Sequence, residues 1–237
     1  MSDQGDGGLL REAPDPYRYD GHKLRPDSLG AIIAPLVPEG ANVLDVGCAT
    51  GSLATLLRDV RGARVIGIEP DPVRAALAAE RGIDVRVGVL SPEITQALGV
   101  FDVVLYVDVL EHLIDPLGEL ANALPLIAPG GALIISVPNV AHWSVRWNLL
   151  RGRFNYTDTG LMDATHLRWF TRNSIIELLS KAGIKPVSVE YTIGLNHYRN
   201  SLTKRIPKRL RRAVVRSLVK IAPRLFALQF VITGRRA

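Results

Sequence analysis

Cysteine is almost missing from this 237-residue chain. The only one, Cys48, can form no internal disulfide and excludes a zinc site built from several thiolates. Also missing is any apolar run of the ~20 residues a helix needs to cross a bilayer. The first residues, Met1 to Leu10, are acidic and glycine-rich, without the basic-then-apolar order of a secretory signal. These absences predict a cytoplasmic protein with residues 1–20 disordered. No internal repeat and no long linker divides the sequence, so residues 1–237 read as a single domain with room for a sizeable core.

Acidic residues are absent from the last stretch. Between Tyr191 and Ala237 there are twelve basic side chains and no Asp or Glu. The other 190 residues carry seventeen basic against twenty-three acidic groups. The net charge of +6 therefore belongs to the C-terminal fifth, and the remainder is mildly acidic.

What is present is an alternation. Strand-length apolar runs at Asn42–Val46, Arg64–Ile68, Asp84–Gly88, Phe101–Val107 and Ala132–Val137 are separated by stretches of helical period at Ser52–Val60, Pro72–Arg81 and Pro116–Ile127. Continuous Val/Ile/Leu runs mark strands buried on both faces. A further helix at Thr171–Ala182 and strands near Pro186–Thr192 and Phe226–Thr233 follow. The pattern predicts an α/β fold, doubly wound around a mostly parallel seven-stranded sheet.

The first strand runs into a loop, Val43-Leu-Asp-Val-Gly-Cys-Ala-Thr-Gly51. Gly47 and Gly51 permit a sharp turn and close approach to a ligand, and the next helix offers unpaired N–H groups. The spacing is not that of a dinucleotide loop, and Asp45 would repel a pyrophosphate but attract an amine or sulfonium. One strand later the chain reads Val65-Ile-Gly-Ile-Glu-Pro70, and a carboxylate at Glu69 can accept hydrogen bonds from ribose hydroxyls.

These residues resemble the class I S-adenosylmethionine-dependent methyltransferases, whose D-x-G-x-G-x-G motif is matched by Asp45, Gly47, Ala49 and Gly51, with alanine at the middle glycine. The resemblance implies a Rossmann-like methyltransferase fold. Asp45, Gly47, Cys48, Ala49 and Gly51 would wrap the methionine part of S-adenosyl-L-methionine, Glu69 would bind its ribose, and Pro70 would flank the adenine. Relatives often carry an acid after the third strand; here Val87-Gly-Val-Leu-Ser-Pro92 has none, so backbone groups of Val89 or Leu90 would substitute.

Phe101-Asp-Val-Val-Leu-Tyr-Val-Asp-Val-Leu-Glu-His-Leu113 is similar to a segment of the ubiquinone-biosynthesis O-methyltransferases. At the switch point between strands one and four, Val107 and Asp108 would meet the cofactor, with Glu111 and His112 toward the substrate. Glu111 could equally cap a helix or pin a loop. His112 could accept a proton from a hydroxyl or simply bond within its loop.

Residues 139–171 form an insertion with all three tryptophans, Tyr156, four arginines, Asp158, Asp163, His142 and His166. Rigid aromatics mixed with polar groups suit a small-molecule pocket; they also suit a lid packed on the sheet. The segment resembles the substrate-side insert of a methyltransferase branch associated with polysaccharide and glycolipid assembly. His166 and His142 join His112 as candidate bases, Asp163 being placed to orient the His166 ring. No metal site is expected.

Residues 203–224 read as a basic amphipathic helix before the last strand. Ile206, Leu210, Val214, Leu218, Ile221 and Leu225 would form one apolar stripe among Arg and Lys. Such a helix suits either packing on the domain or lying on an anionic membrane at its inner face. Nucleic acid is not favoured, since no aromatic-rich basic motif accompanies it. The sequence thus predicts methyl transfer from S-adenosyl-L-methionine to an oxygen of a small-molecule, glycan or lipid-linked acceptor. An N- or C-methyltransferase, or a non-catalytic S-adenosylmethionine-binding partner protein, are the alternatives.

Overall fold

The computed structural model describes residues 27–195 and 205–237; the expected disordered start, residues 1–20, lies outside them. Seven strands form one sheet: β1 (Asn42–Val46), β2 (Arg64–Glu69), β3 (Asp84–Val87), β4 (Phe101–Val107), β5 (Ile127–Pro138), β6 (Ile184–Thr192) and β7 (Gln229–Arg236), in the order β3-β2-β1-β4-β5-β7-β6. Pairings among β1 to β5 are parallel, and β7 runs antiparallel between β5 and β6.

Helices cover both faces. They are α1 (Leu29–Ile33), α2 (Ser52–Arg61), α3 (Pro72–Glu80), α4 (Pro92–Ala97), α5 (Pro116–Ala123), α6 (Trp143–Leu150), α7 (Arg172–Lys181), α8 (Lys208–Ile221) and α9 (Pro223–Phe226). Their starts follow local chemistry. Asp71, Ser91 and Asp115 accept first-turn N–H groups, with proline in the following turn each time. Thr171 and Ser174 form a reciprocal cap on α7. Each such cap contributes about 1 kcal/mol.

Alternate strand residues feed two cores. Val43, Val103, Leu105, Ile134 and Val231 join Ile33, Leu53 and Leu57 under α1 and α2. Leu44, Val104, Tyr106, Ile135 and Phe230 join Leu120, Leu179, Val215 and Val219 under α5, α7 and α8. Burying each such side chain contributes roughly 1.5–3 kcal/mol.

Several expected boundaries move. The helix expected over Pro116–Ile127 stops at Ala123, because Pro125 cannot continue the ladder and Leu124–Leu126 tightens into a 3-10 turn before β5. The last strand starts at Gln229 rather than Phe226, since Pro223 opens the extra turn α9. The insertion contains a helix, α6, that the sequence did not suggest.

The stripe expected along the basic helix is also corrected. The domain buries Val215 and Val219, and Leu210, Val214 and Ile221 of that stripe face outward. Two apolar lines run along α8, and the core takes the neighbouring one.

Candidate active site

A cavity of about 620 Å³ opens at the carboxyl ends of β1, β2 and β4, where ligands of open α/β sheets bind. Its floor is the turn after β1. Gly47 has φ +74°, and a Cβ there would come within 2.6 Å of Val109 Cγ2. Backbone N–H groups of Gly47 and Cys48 both donate to the Ile68 carbonyl, at 2.8 and 3.1 Å. The turn is therefore fastened to the end of β2, next to Glu69.

Glu69 is buried, and each of its oxygens accepts one backbone hydrogen bond. Oε2 takes the N–H of Ala49 at 2.8 Å and Oε1 that of Asp71 at 3.0 Å. Ala49 holds φ +48°, a conformation that favours glycine, at the position where the motif has one. Asp45 is buried in β1, and its Oδ2 has no hydrogen-bond partner among the described residues. Burial, with the Glu69 charge adding, raises its pKa to about 7. The two carboxylates make the floor ready for a cation.

Cys48 is the site's closest packing contact. Its thiol fills the space above Gly67 of β2, where a Cβ would lie 2.5 Å from Sγ. Burial, then Asp45 and Glu69, push the thiol pKa up, which makes it inert rather than nucleophilic.

On the other side of the cavity, Asp108 leaves β4 with φ +56°. It accepts from the Ser136 hydroxyl of β5, and Gln229 Nε2 of β7 reaches both its oxygens at 3.0 and 2.9 Å. The next turn carries Glu111 and His112. Glu111 is buried, and apart from its own backbone N–H neither carboxylate oxygen has a hydrogen-bond partner among the described residues. Burial, then the Asp108 charge, hold its pKa well above the usual carboxylate range.

The insertion closes over this turn. Leu167 and Arg168 donate backbone N–H groups to the Glu111 carbonyl at 2.8 and 2.9 Å. His112 Nδ1 lies 3.1 Å from the Thr165 carbonyl, which places a proton on that nitrogen. The His112 and His166 rings meet edge to face, centroids 4.9 Å apart. One atom each from Glu111, His112 and His166 lie within 4.8 Å of one another. Burial, then His112, lower the His166 pKa, with Asp163 opposing.

The expected site residues are placed as follows. Asp45, Gly47, Cys48, Ala49, Glu69, Pro70, Val89, Leu90, Val107, Asp108, His112 and His166 line the cavity. Gly51 does not: it is the left-handed N-cap of α2 and packs against Ala78. His142 also stands apart from the cavity. It is buried as the N-cap of α6, with Nδ1 2.8 Å from the Ser144 hydroxyl, which corrects its place among the bases.

Asp163 shapes the turn as well as acting on His166 through its charge. Its Oδ1 accepts from the Thr165 N–H and hydroxyl at 2.9 and 2.7 Å, shaping the turn, and the His166 ring bonds the Leu161 carbonyl. Sequence reasoning missed Gln229 and Ser136, whose only signal was a polar residue at the cavity end of an apolar strand.

A family model described as a methyltransferase domain matches residues 21–189. The ubiquinone biosynthesis O-methyltransferase of Cereibacter sphaeroides is 32% identical over 170 residues, covering 65% of this chain and 64% of that protein. The match thus spans a little under two thirds of that relative's length. A solved S-adenosylmethionine-dependent methyltransferase from Archaeoglobus fulgidus superposes with a TM-score of 0.62 at 18% identity, over 88% of this chain and 93% of that one. A Burkholderia thailandensis 1,6-didemethyltoxoflavin-N1-methyltransferase, solved with S-adenosylhomocysteine, gives 0.53 at 22% identity, over 90% and 78%. At these identities the two structures speak to the fold.

Proposed function

This chain belongs to the methyltransferase-domain family, and we propose that it transfers the methyl group of S-adenosyl-L-methionine to an oxygen of a small-molecule acceptor in the cytoplasm. One observation carries the reading: Asp45, buried beside Glu69 at the cavity floor, has a carboxylate oxygen without a partner among the described residues. A buried polar atom left unpaired is costly unless a ligand satisfies it. An amine supplies both the charge and the donors, and a sulfonium adds charge alone.

Bound there, S-adenosylmethionine would provide a methyl group on a positively charged sulfur with a good leaving group behind it. The residues supply the rest. Each Glu69 oxygen already accepts one N–H and retains a lone pair for a ribose hydroxyl. Pro70, Val89 and Leu90 form a mostly apolar wall for the adenine. Neutral His166 takes the acceptor's proton, and the buried Glu111 carboxyl lines the cavity beside it. Catalysis then rests on alignment and exclusion of water.

Glu111, His112 and His166 support a second reading. Their donors are of the types that hold a divalent cation, which the sequence expectation of no metal did not foresee. In that reading the three residues position the acceptor through a cation instead of by direct proton transfer.

Titration calorimetry with S-adenosylmethionine and S-adenosylhomocysteine tests the cofactor assignment. The wild type should bind both, and Glu69→Ala should bind at least about tenfold more weakly, the cost of losing a charged acceptor. Absence of binding, or unchanged affinity in the variant, would overturn it.

A further inference from the structure

The geometry points to α8 as a docking element for an anionic lipid bilayer, and we propose that it holds the cavity end of the protein against such a surface. Helix α8 has three sides. Val215 and Val219 are buried in the core, and Arg212 pairs with Asp27 at 2.8 Å, as does Arg216. Leu210, Val214 and Ile221, spaced by four and seven residues, form a second line that is 56%, 50% and 81% exposed. Arg209 and Lys220, both exposed, mark the third, basic side, with Arg216 between them tied to Asp27.

An exposed apolar line flanked by cations is the design of a helix lying in a membrane interface, its apolar side among the acyl chains and its charges at the headgroups. Charge complementarity selects an anionic surface. Residues 191–237 contain no acid, while the other 190 carry a net excess of them and would be repelled by the same surface. Helix α8 itself carries six basic residues and no acid, so the attraction centres on it.

Topology gives the orientation meaning. β6 ends at Thr192 beside the start of β7 at Gln229, and Gln229 lines the cavity. The segment that carries α8 and α9 thus leaves and rejoins the sheet at its cavity end. Asn139, where the insertion begins, is buried and donates through Nδ2 to the carbonyls of Arg224 and Ala227 at 3.2 and 2.9 Å. That tie sets α6 on the same end, with Trp147 and Leu150 exposed and Arg151 lying 4.2 Å over the Trp147 ring. A membrane-borne amphiphilic acceptor follows only if the methyl-transfer reading holds; docking itself does not depend on it.

The test is co-sedimentation of the full chain with vesicles of phosphatidylcholine alone or mixed with phosphatidylglycerol, alongside S-adenosylhomocysteine calorimetry on the same samples. Binding to the mixed vesicles alone is expected. It should weaken more than about tenfold in Leu210→Asp/Ile221→Asp and in Arg209→Glu/Lys220→Glu, with nucleoside affinity unchanged, which also shows the variants folded. Equal binding to both vesicle types, no binding to either, or variants that sediment as wild type would overturn the proposal. So would light scattering that shows a dimer broken by Leu210→Asp, since a second copy would then cover the stripe. Failure of the calorimetry with vesicle binding intact would count against the cofactor assignment alone.

Discussion

The backbone N–H of Ala49 donates to Glu69 Oε2 at 2.8 Å, so the acid at the tip of β2 organises the turn that leaves β1. Two motif elements separated by twenty residues are one hydrogen-bonded unit. Glu69 shapes the loop as well as offering an acceptor to the ligand.

The same bond fixes Ala49 in the left-handed region, with φ +48°. A side chain there costs about 1–2 kcal/mol, whereas glycine pays about 0.4–1 kcal/mol in unfolded-chain entropy. Ala49→Gly should therefore leave stability unchanged or raise it by up to about 1 kcal/mol. Ala49→Val should lower it. Urea unfolding of the ligand-free protein checks both, and a clear loss in the glycine variant would contradict the account.

Gly67 exists to admit Cys48. Gly67→Ala should destabilise by roughly 1–3 kcal/mol, since overpacking forces Sγ to move. Adding Cys48→Ala should recover most of the loss, because the 2.5 Å contact is then gone and the Cys48 Cβ at 3.1 Å and Val85 Cγ2 at 3.4 Å can give way. A double-mutant cycle in thermal unfolding reads the coupling. Additive losses would mean that the clash is not with Cys48.

Asp45 should make stability and binding respond to pH in opposite directions. Its pKa is about 7 in the folded protein against ~3.9 in an unfolded chain. Folding thus favours the neutral acid, and this stabilisation is complete below pH ~4 and lost as pH rises through about 7. A cationic ligand favours the ionised form, so affinity for S-adenosylmethionine should fall on acidification below 7. Asp45→Asn should flatten both trends relative to wild type. Melting curves and calorimetry between pH 5 and 8 (a range of roughly one unit or more on either side of the histidine value) would expose a wild type no different from the variant.

His166 separates the two chemical readings. If it is the base, His166→Asn should cut kcat by about 10²–10⁴ while leaving cofactor affinity unchanged. The acidic limb of the rate profile should lie below the ordinary histidine value of ~6.5, given the lowered pKa. Dialysis against a chelator should then change nothing. Loss of activity on dialysis, restored by a divalent cation, would favour the Glu111, His112 and His166 cation site.

Much of this was legible because the information was local. Asp45, Gly47 and Glu69 sit at fixed distances from strand ends, and apolar runs reveal parallel strands. Gln229 and Asp108 meet across 121 residues of sequence, and no periodicity announces such a pair. His112 and His166 come together only because the insertion folds back through the Glu111 carbonyl. His142 resembled a base because a capping histidine and a catalytic one look alike until a helix is known to start after it. On α8 the stripe through Leu210, Val214, Leu218 and Ile221 is the more regular in sequence, yet the domain buries Val215 and Val219, which no periodicity foretells.

β7 slides between β5 and β6, both of which are synthesised before it. On the ribosome, the groove between those two strands must wait for a partner that has not been made. Gln229, which holds both oxygens of Asp108, arrives with that partner. The wall of the cavity is therefore completed only after β5 and β6 have been made, and a nascent chain should gain its ligand pocket only as residues 229–236 emerge.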